Sequence, residues 1–248
     1  MSTGIYSATL AWMFRYLPEW PRLTRRVGLT TAVVFVIEVA VIAVQAVRGV
    51  TSHFNTSTLA DGALFSVMGV AIAVQTVAAI AVAVAFWRHT FTDRALGWAL
   101  RLGMTLAVAG ASVGGMMTQP TAAQLARARE TGEMPRAGAH TVGAPDGGPG
   151  LPGTGWSLAH GDLRAPHFVG LHAMQVLPFA VLVLARRRSE AARVRLAIGA
   201  GVSYAALFLI LLAQAMTGQS VAAPTGAWPP RSRSGSSAPS VSRWPRGA

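Results

Sequence analysis

The residues best suited to chemistry lie between Trp156 and Pro178 of this 248-residue chain. The stretch begins as a polar loop and continues as an apolar helix. Its six polar side chains of interest are His160, Asp162, Arg164, His167, His172 and Gln175. His172 and Gln175 are three residues apart and therefore share one face of the helix. Polar groups on an apolar helix indicate a binding site or a contact with a neighbouring helix.

A second polar segment covers residues 48–61. Together the two segments offer groups that could hold a quinone or a lipid headgroup, with guanidinium groups for an anion and imidazoles for hydrogen bonds. The predicted ligand-binding residues are Arg48, His53, Asn55, Asp162, Arg164, His172 and Gln175. The alternative is that these side chains cap helices and tie loops together.

A metal site is another form that the cluster could take. His53, His167 and Asp162 have the imidazole and carboxylate groups that suit zinc, iron or copper. The sequence leaves the cofactor unknown, with a divalent metal as one option. A b-type haem is disfavoured, because it needs two axial histidines at similar depth and only His172 lies well inside a predicted span. The chain has no Cys, which excludes thiolate metal sites, iron–sulfur clusters and c-type haem attachment.

The composition predicts a membrane protein. The chain is 52% hydrophobic and 12% charged, which is too little charge to coat a soluble globule of this length. All 21 basic residues are arginine, and they flank the apolar blocks. The net charge of +12 therefore fits the basic flanks of membrane helices. Because no nucleic-acid-binding motif accompanies these arginines, the expected partners are membrane lipid, a small-molecule ligand or a membrane protein, and no nucleic acid.

The hydropathy pattern predicts an all-α, polytopic membrane helix bundle with about five transmembrane helices. The expected spans are residues 28–47, 63–87, 95–117, 166–185 and 196–216. Residues 1–27 are expected to lie in the membrane interface because they are rich in aromatic residues and proline. Residues 118–165 form a Gly/Pro-rich outer loop, and residues 217–248 are expected to be a disordered tail.

Two polar residues fall inside the predicted spans. Glu38 is near the midpoint of the first span, and Gln75 is near the centre of the second. A carboxylic acid at that depth is either a proton-relay group or a structural link between helices. The sequence leaves both readings of Glu38 open.

The arginine distribution predicts the orientation. With the N-terminus in the cytoplasm, eleven arginines of the short segments lie on the cytoplasmic side of a cell inner (plasma) membrane. The two polar segments then meet at the outer face. We expect replacement of His172, inside a span, to be more harmful than replacement of His140 in the loop.

The segments Arg48-Gly-x-x-Ser-His-Phe-Asn55 and Gly161-Asp-Leu-Arg-x-x-His-Phe-x-Gly-Leu-His-x-x-Gln-x-x-Pro178 resemble the signature segments of a family of uncharacterised multi-pass bacterial integral membrane proteins. The resemblance covers about residues 20–216. It implies a membrane location and the grouping of the two segments, and it assigns no role to any residue.

The sequence thus leads to two expectations about function. The first is an integral membrane protein with an outer-face His/Arg/Asp site that binds a metal or a small ligand, with a redox-linked role as one option. The second is a non-enzymatic membrane component that packs with a partner protein through its Gly-rich third span and outer loop. No motif assigns a reaction, so the sequence leaves open whether the protein is an enzyme.

Overall fold

The computed structural model describes residues 2–185 and 187–222 of the chain. The helices and strands, in chain order, are α1 (Ser2–Phe14), α2 (Pro21–Val47), α3 (Leu59–Arg88), α4 (Arg94–Met117), α5 (Ala122–Thr131), β1 (Thr141–Val142), β2 (Gly161–Asp162), α6 (Arg164–Phe179) and α7 (Glu190–Met216). A π-helical turn, Ala180–Leu184, continues α6. The two strands pair antiparallel in a single hairpin.

Five helical stretches are long and apolar enough to cross a membrane by length and composition. They are Pro21–Val47, Leu59–Arg88, Arg94–Thr131, Arg164–Leu184 and Glu190–Met216. The predicted all-α bundle with about five spans is therefore confirmed, and the protein is a multi-pass membrane protein. Most side chains of the spans that the protein leaves uncovered are apolar, as lipid contact requires.

The ends of the spans follow from local signals. Pro21 stands in the first turn of α2, where its missing N–H costs little, so the helix begins seven residues before the expected residue 28. The side chains of Thr58, Asp93 and Ser189 cap the N-termini of α3, α4 and α7. Pro178 interrupts α6 just before the π-helical turn, in agreement with the kink that a proline imposes.

Helix α1 lies within segment 1–27, which the sequence predicts to be at the membrane interface, and it packs on the bundle. Its Leu10 and Met13 are almost completely buried, in one hydrophobic cluster with side chains of α3, α4 and α6. Its polar side chains bond Gln75 and Gln175, which lie near the middle of their spans rather than at the ends where lipid headgroups would be. Burial of its apolar face against other helices stabilises this packing.

Helices α4 and α6 approach each other at glycine residues. A Cβ added to Gly110 would lie 2.5 Å from the backbone nitrogen of Leu171, and one added to Gly170 would lie 2.5 Å from the Cα of Gly110. Small residues permit this distance between membrane helices. The small-residue face that the sequence shows in the third span therefore packs inside the chain.

The outer loop 118–165 is built from local structure. Thr121 and Gln124 form a capping box at α5, and the Gln124 amide also bonds both backbone groups of Gly138. Residues 217–222 of the predicted tail pack on this loop, since the Ser220 hydroxyl donates to the Ser157 carbonyl oxygen at 2.7 Å. The rest of the predicted tail, residues 223–248, lies outside the described residues.

Candidate functional site

An ion pair joins the end of α2 to the start of α3, at the end of the bundle that the sequence predicts to face outward and that is called the outer end below. Arg48 donates to the Asp61 carboxylate at 2.5 Å, and Gln45 donates to the same oxygen at 3.0 Å. Thr58 donates to the other carboxylate oxygen at 2.7 Å. The Asp61 side chain is 2% exposed, so its charge is balanced within the protein and links the two helices.

A second pair, Asp162 with Arg164, fixes the start of α6. The guanidinium group of Arg164 contacts both oxygens of the Asp162 carboxylate, at 3.0 and 2.6 Å. The backbone N–H of Ser157 donates to Asp162 at 2.8 Å, and Arg164 also donates to the Gly155 carbonyl oxygen at 2.6 Å. Two residues that the sequence predicts as ligand-binding therefore hold each other and the adjoining loop.

A third pair, which no sequence pattern predicts, lies in the Gly/Pro-rich loop. Asp146 accepts from Arg136 at 2.9 Å and from the backbone N–H groups of His140 and Thr141 at 3.0 and 2.8 Å. Burial alone would raise the pKa of the Asp146 carboxyl, but the hydrogen bonds from His140 and Thr141 hold it far below its ordinary value. The carboxylate thus closes the turn between residues 136 and 146.

The segment that follows Arg48 is anchored by Phe54. Its ring is 3% exposed and lies edge-on to His140 at a centroid distance of 4.8 Å. Asn55 ties the same segment together, because its amide donates to Thr51 O and its carbonyl oxygen accepts from Ser57. The φ of Phe54 is +61°, an uncommon value for a residue other than glycine, and the Phe54 carbonyl oxygen accepts from the Ala137 N–H at 2.9 Å.

The predicted metal ligands His53, His167 and Asp162 are not assembled into one site. Each has a different neighbour: Ser52 Oγ is 2.9 Å from His53 Nδ1, Gly110 O is 2.8 Å from His167 Nδ1, and Asp162 holds Arg164. Among the residues that the structure describes, no group of three or more His, Asp or Glu side chains is placed to hold a metal ion. His167 instead serves the tight contact of α6 with α4.

The predicted seven-residue ligand site divides into two regions. Five of the residues lie at the outer end and bond within the protein, as the structural alternative expects: Arg48, His53, Asn55, Asp162 and Arg164. His172 and Gln175 lie deeper on α6, and the ring of His172 packs against Phe168 at 4.2 Å. The sequence prediction put both regions in one site. Helical spacing shows which residues share a face of a helix, but it does not show how deep in the bundle their partners lie.

The deeper region is a set of polar side chains in the middle of the bundle. Gln75 donates to the Tyr6 hydroxyl at 3.2 Å, and Gln175 donates to the Thr9 hydroxyl at 3.2 Å. The side-chain oxygens of both glutamines are buried and have no hydrogen-bond partner within the described part of the chain. The sequence did not predict these contacts with α1, because the two residues of each bond are far apart in the chain, by 69 residues for Tyr6 and Gln75 and by 166 for Thr9 and Gln175.

A pair of clefts runs along one stripe of α3. The outer cleft, about 570 Å³, is lined by Thr56, Ser57, Thr58, Leu59, Gly62, Ala63 and Ser66. The inner cleft, about 680 Å³, lies between α2 and α3 and is lined by Leu29, Thr30, Val33, Val34, Ile37, Ser66, Val67, Val70, Ala71 and Val74. The two clefts share Ser66, so the surface passes from hydroxyl groups at the outer end to hydrocarbon at the inner end.

Comparison with known proteins found no matching family model, no matching curated protein and no matching solved structure. The resemblance of the two signature segments to a bacterial membrane family therefore stays a prediction. What the chain can bind has to be argued from its own geometry.

Proposed function

We propose that the protein binds a phospholipid of the outer leaflet in the two clefts along α3, with the acyl chain between α2 and α3 and the headgroup at the N-terminus of α3. This is the small-ligand function expected from the sequence, at a different position from the one expected. The proposal is a binding function and needs no catalytic group.

The observation that carries the proposal is the change of chemistry along one continuous surface. The outer cleft holds four hydroxyl side chains, and the inner cleft is lined by Val, Leu, Ile and Ala together with Thr30 and Ser66. Val33 and Val70, on opposite walls, are 56% and 66% exposed, so the protein itself does not fill the inner cleft. A molecule with one polar head and a hydrocarbon chain matches both ends.

The length of the surface fits one leaflet. From Thr58 to Val74 the helix advances sixteen residues, or about 24 Å at 1.5 Å per residue. Half of a bilayer with its headgroup region is roughly 20–22 Å thick. A lipid lying along this stripe would thus extend from the headgroup level to near the midplane.

The head end favours a phosphate group over a quinone ring. The first N–H groups of α3 have no partner inside the helix except at Asp61, whose N–H is capped by Thr58. Phosphate oxygens accept from such groups. A quinone ring would be held by stacking, and neither cleft has an aromatic side chain in its lining.

The arginine distribution supports an N-terminus in the cytoplasm of a cell with an inner membrane. Most of the exposed arginines among the described residues lie at one end of the bundle, around the turns that join α1 to α2 and α3 to α4 and around the start of α7. In this orientation the headgroup cleft faces outward. A reporter fused after Arg188 tests the orientation, because a periplasmic signal would contradict it.

The binding test introduces a large side chain at Ser66, the residue that both clefts share. Ser66→Trp places a large ring where the two clefts meet, and Ser203→Trp is the matched control on an exposed position of α7 outside the clefts. Both variants are extracted in polymer discs without detergent, and lipid that stays bound after transfer to the gas phase is counted by native mass spectrometry. Helix content from circular dichroism checks that both variants fold.

We expect the wild type and Ser203→Trp to keep one phospholipid and Ser66→Trp to lose it. Equal phospholipid in all three proteins would refute the proposal. A quinone that is present in the wild type and absent only in Ser66→Trp would replace the phospholipid as the ligand.

A further inference from the structure

Glu38 stands on the face of α2 that points into the protein. The buried residues of this helix include Thr31, Val34, Val41 and Gln45, and Glu38 lies between Val34 and Val41 on the same stripe. Gln45 on this stripe bonds Asp61. Glu38, by contrast, has no hydrogen bond or ion pair to any residue that the structure describes. The structural-link reading of Glu38 therefore lacks a partner.

The depth of Glu38 follows from its neighbours. The ring of Tyr6 packs edge-on against Phe35 at 5.6 Å, and Tyr6 accepts a hydrogen bond from Gln75 near the middle of α3. Glu38 is one helical turn from Phe35 toward the outer end of α2. Because α2 and α3 are antiparallel, it lies opposite the stretch of α3 around Met68 and Ala71, which is buried and apolar.

A second observation, further along α3 toward the middle of the bundle, points to a missing hydrogen-bond donor. Gln75 is 6% exposed, and its side-chain oxygen has no partner in the described part of the structure although its nitrogen is bonded to Tyr6. A buried acceptor of this kind is normally satisfied by a side chain or by an internal water molecule. Glu38 is one helical turn along α2 from Phe35, which packs on Tyr6, so its carboxylic acid could pass a proton to such a water.

We propose that Glu38 is a proton-binding site inside the membrane, which holds its proton as a neutral carboxylic acid and exchanges it through water held by Gln75 and Tyr6. An ionised carboxylate without a partner is strongly disfavoured in hydrocarbon, whereas the neutral acid can donate a hydrogen bond. The proposal does not depend on the lipid site, because it uses other side chains and a different ligand, the proton.

The charged groups around Glu38 leave this carboxyl without a counter-ion. Helix α1 presents Tyr6 on the side of α2, and the charged residues of α3 are at its two ends, Asp61 with Arg48 at one end and Arg88 at the other. No other element makes a substantial contact with α2 in the described residues. The titration of Glu38 is thus decided by its membrane surroundings, Tyr6 and Gln75.

The test is chemical labelling with an apolar carbodiimide, which enters membranes. A neutral carboxylic acid adds across one C=N bond of the reagent: its oxygen bonds to the central carbon and its proton moves to nitrogen. The acyl group then migrates from oxygen to nitrogen, so the product retains the whole reagent and nothing leaves. Full-length protein in lipid discs is labelled near neutral pH, and the modified residues are found by peptide mass spectrometry.

We expect labelling at Glu38 to exceed that at the exposed Glu133 by about tenfold, since the apolar reagent concentrates in the membrane and reacts there with the neutral acid. A water-soluble carbodiimide should reverse the preference. Labelling of Glu38 should fall as the pH is raised. Absence of labelling at Glu38 with the apolar reagent would overturn the proposal, because a neutral carboxylic acid inside the membrane reacts with it.

Two variants test the part played by the neighbours. Gln75→Leu and Tyr6→Phe remove the groups that would hold the water, and each should slow labelling of Glu38 and change the pH at which labelling is half complete. Thr76→Val, next to Gln75 on α3 but bonded only to Ile72 O, is the control and should leave the pH profile unchanged. If the pH dependence of Glu38 labelling is identical in all variants, Gln75 and Tyr6 take no part in proton exchange, and this part of the proposal is refuted.

Discussion

The outer end of the bundle and its middle use polar residues in opposite ways. At the outer end, Asp61, Asp146 and Asp162 each bond an arginine, and most of their oxygens accept two or more hydrogen bonds. In the middle, Glu38 has no partner in the described residues, and the side-chain oxygens of Gln75 and Gln175 have none. The outer end therefore has more charged residues than the middle, and its carboxylates have hydrogen-bond partners whereas Glu38 has none in the described residues.

The difference has a physical origin. Near water, an ion pair with several hydrogen bonds can organise loops that have too few apolar residues to pack by themselves. In the hydrocarbon layer an unpaired polar group is costly and returns no stability. The isolated polar residues of the middle are accordingly better candidates for function than the dense outer cluster.

The strongest test of the outer region is removal of one aspartate. Asp162→Ala leaves Arg164 and the Ser157 N–H without their acceptor, and we expect a loss of about 3 kcal/mol in the free energy of unfolding. Glu133→Ala, at an exposed position, should change it by less than about 0.5 kcal/mol. Thermal unfolding in detergent measures both losses. Equal losses would mean that the bonds of Asp162 do not stabilise the outer end.

A matched pair of glutamines compares the two regions directly. Gln45→Leu takes a donor from the buried Asp61, and the expected loss is about 1–2 kcal/mol. Gln75→Leu removes one bond to Tyr6 together with an unsatisfied oxygen, so the expected change lies between zero and about 1 kcal/mol. Chemical unfolding of both variants gives the comparison. A larger loss for Gln75→Leu would show that the middle is as tightly bonded as the outer end.

The pH dependence of the outer loop follows from the low pKa of Asp146. A carboxyl whose pKa is lower in the folded than in the unfolded protein stabilises the fold fully above the unfolded value, near 3.9, and loses that contribution as the pH falls toward the folded value. Asp146→Asn should therefore destabilise the protein by about 1 kcal/mol at pH 7. The difference in thermal unfolding midpoint between the wild type and Asp146→Asn should become smaller near pH 3. A constant difference would mean that the charge of Asp146 has no role.

The smallest expected effects concern two histidines, and their order is the reverse of the sequence expectation. His140 packs against Phe54, and its Nδ1 is 3.4 Å from Asp146, so His140→Ala should cost about 0.5 kcal/mol or more. His172 contacts the ring of Phe168 and has no hydrogen bond within the described chain, so His172→Ala should cost less. Melting temperatures of the two variants decide the order.

Several features of the fold were accessible from sequence because they depend on local chemistry. Apolar length predicts the spans to within a few residues at most ends, and Pro178 predicts the interruption of α6. The pairing of Asp162 with Arg164, two residues apart, was also available as an alternative. The pairing of Arg136 with Asp146 was missed, because a Gly/Pro-rich loop has no periodicity that brings two side chains together.

The sequence by itself determined that the chain spans a membrane, where its helices lie and which residues are too polar for their surroundings, since hydropathy and helical spacing are properties of neighbouring residues. Only the tertiary structure decided which of these polar residues are satisfied. The bonds of α1 to Gln75 and Gln175, the dispersal of the predicted metal ligands and the clefts along α3 all depend on contacts between distant segments. Such contacts are selected by packing of the whole bundle, and this is the reason that the candidate sites moved from the outer cluster to the cleft of α3 and to Glu38.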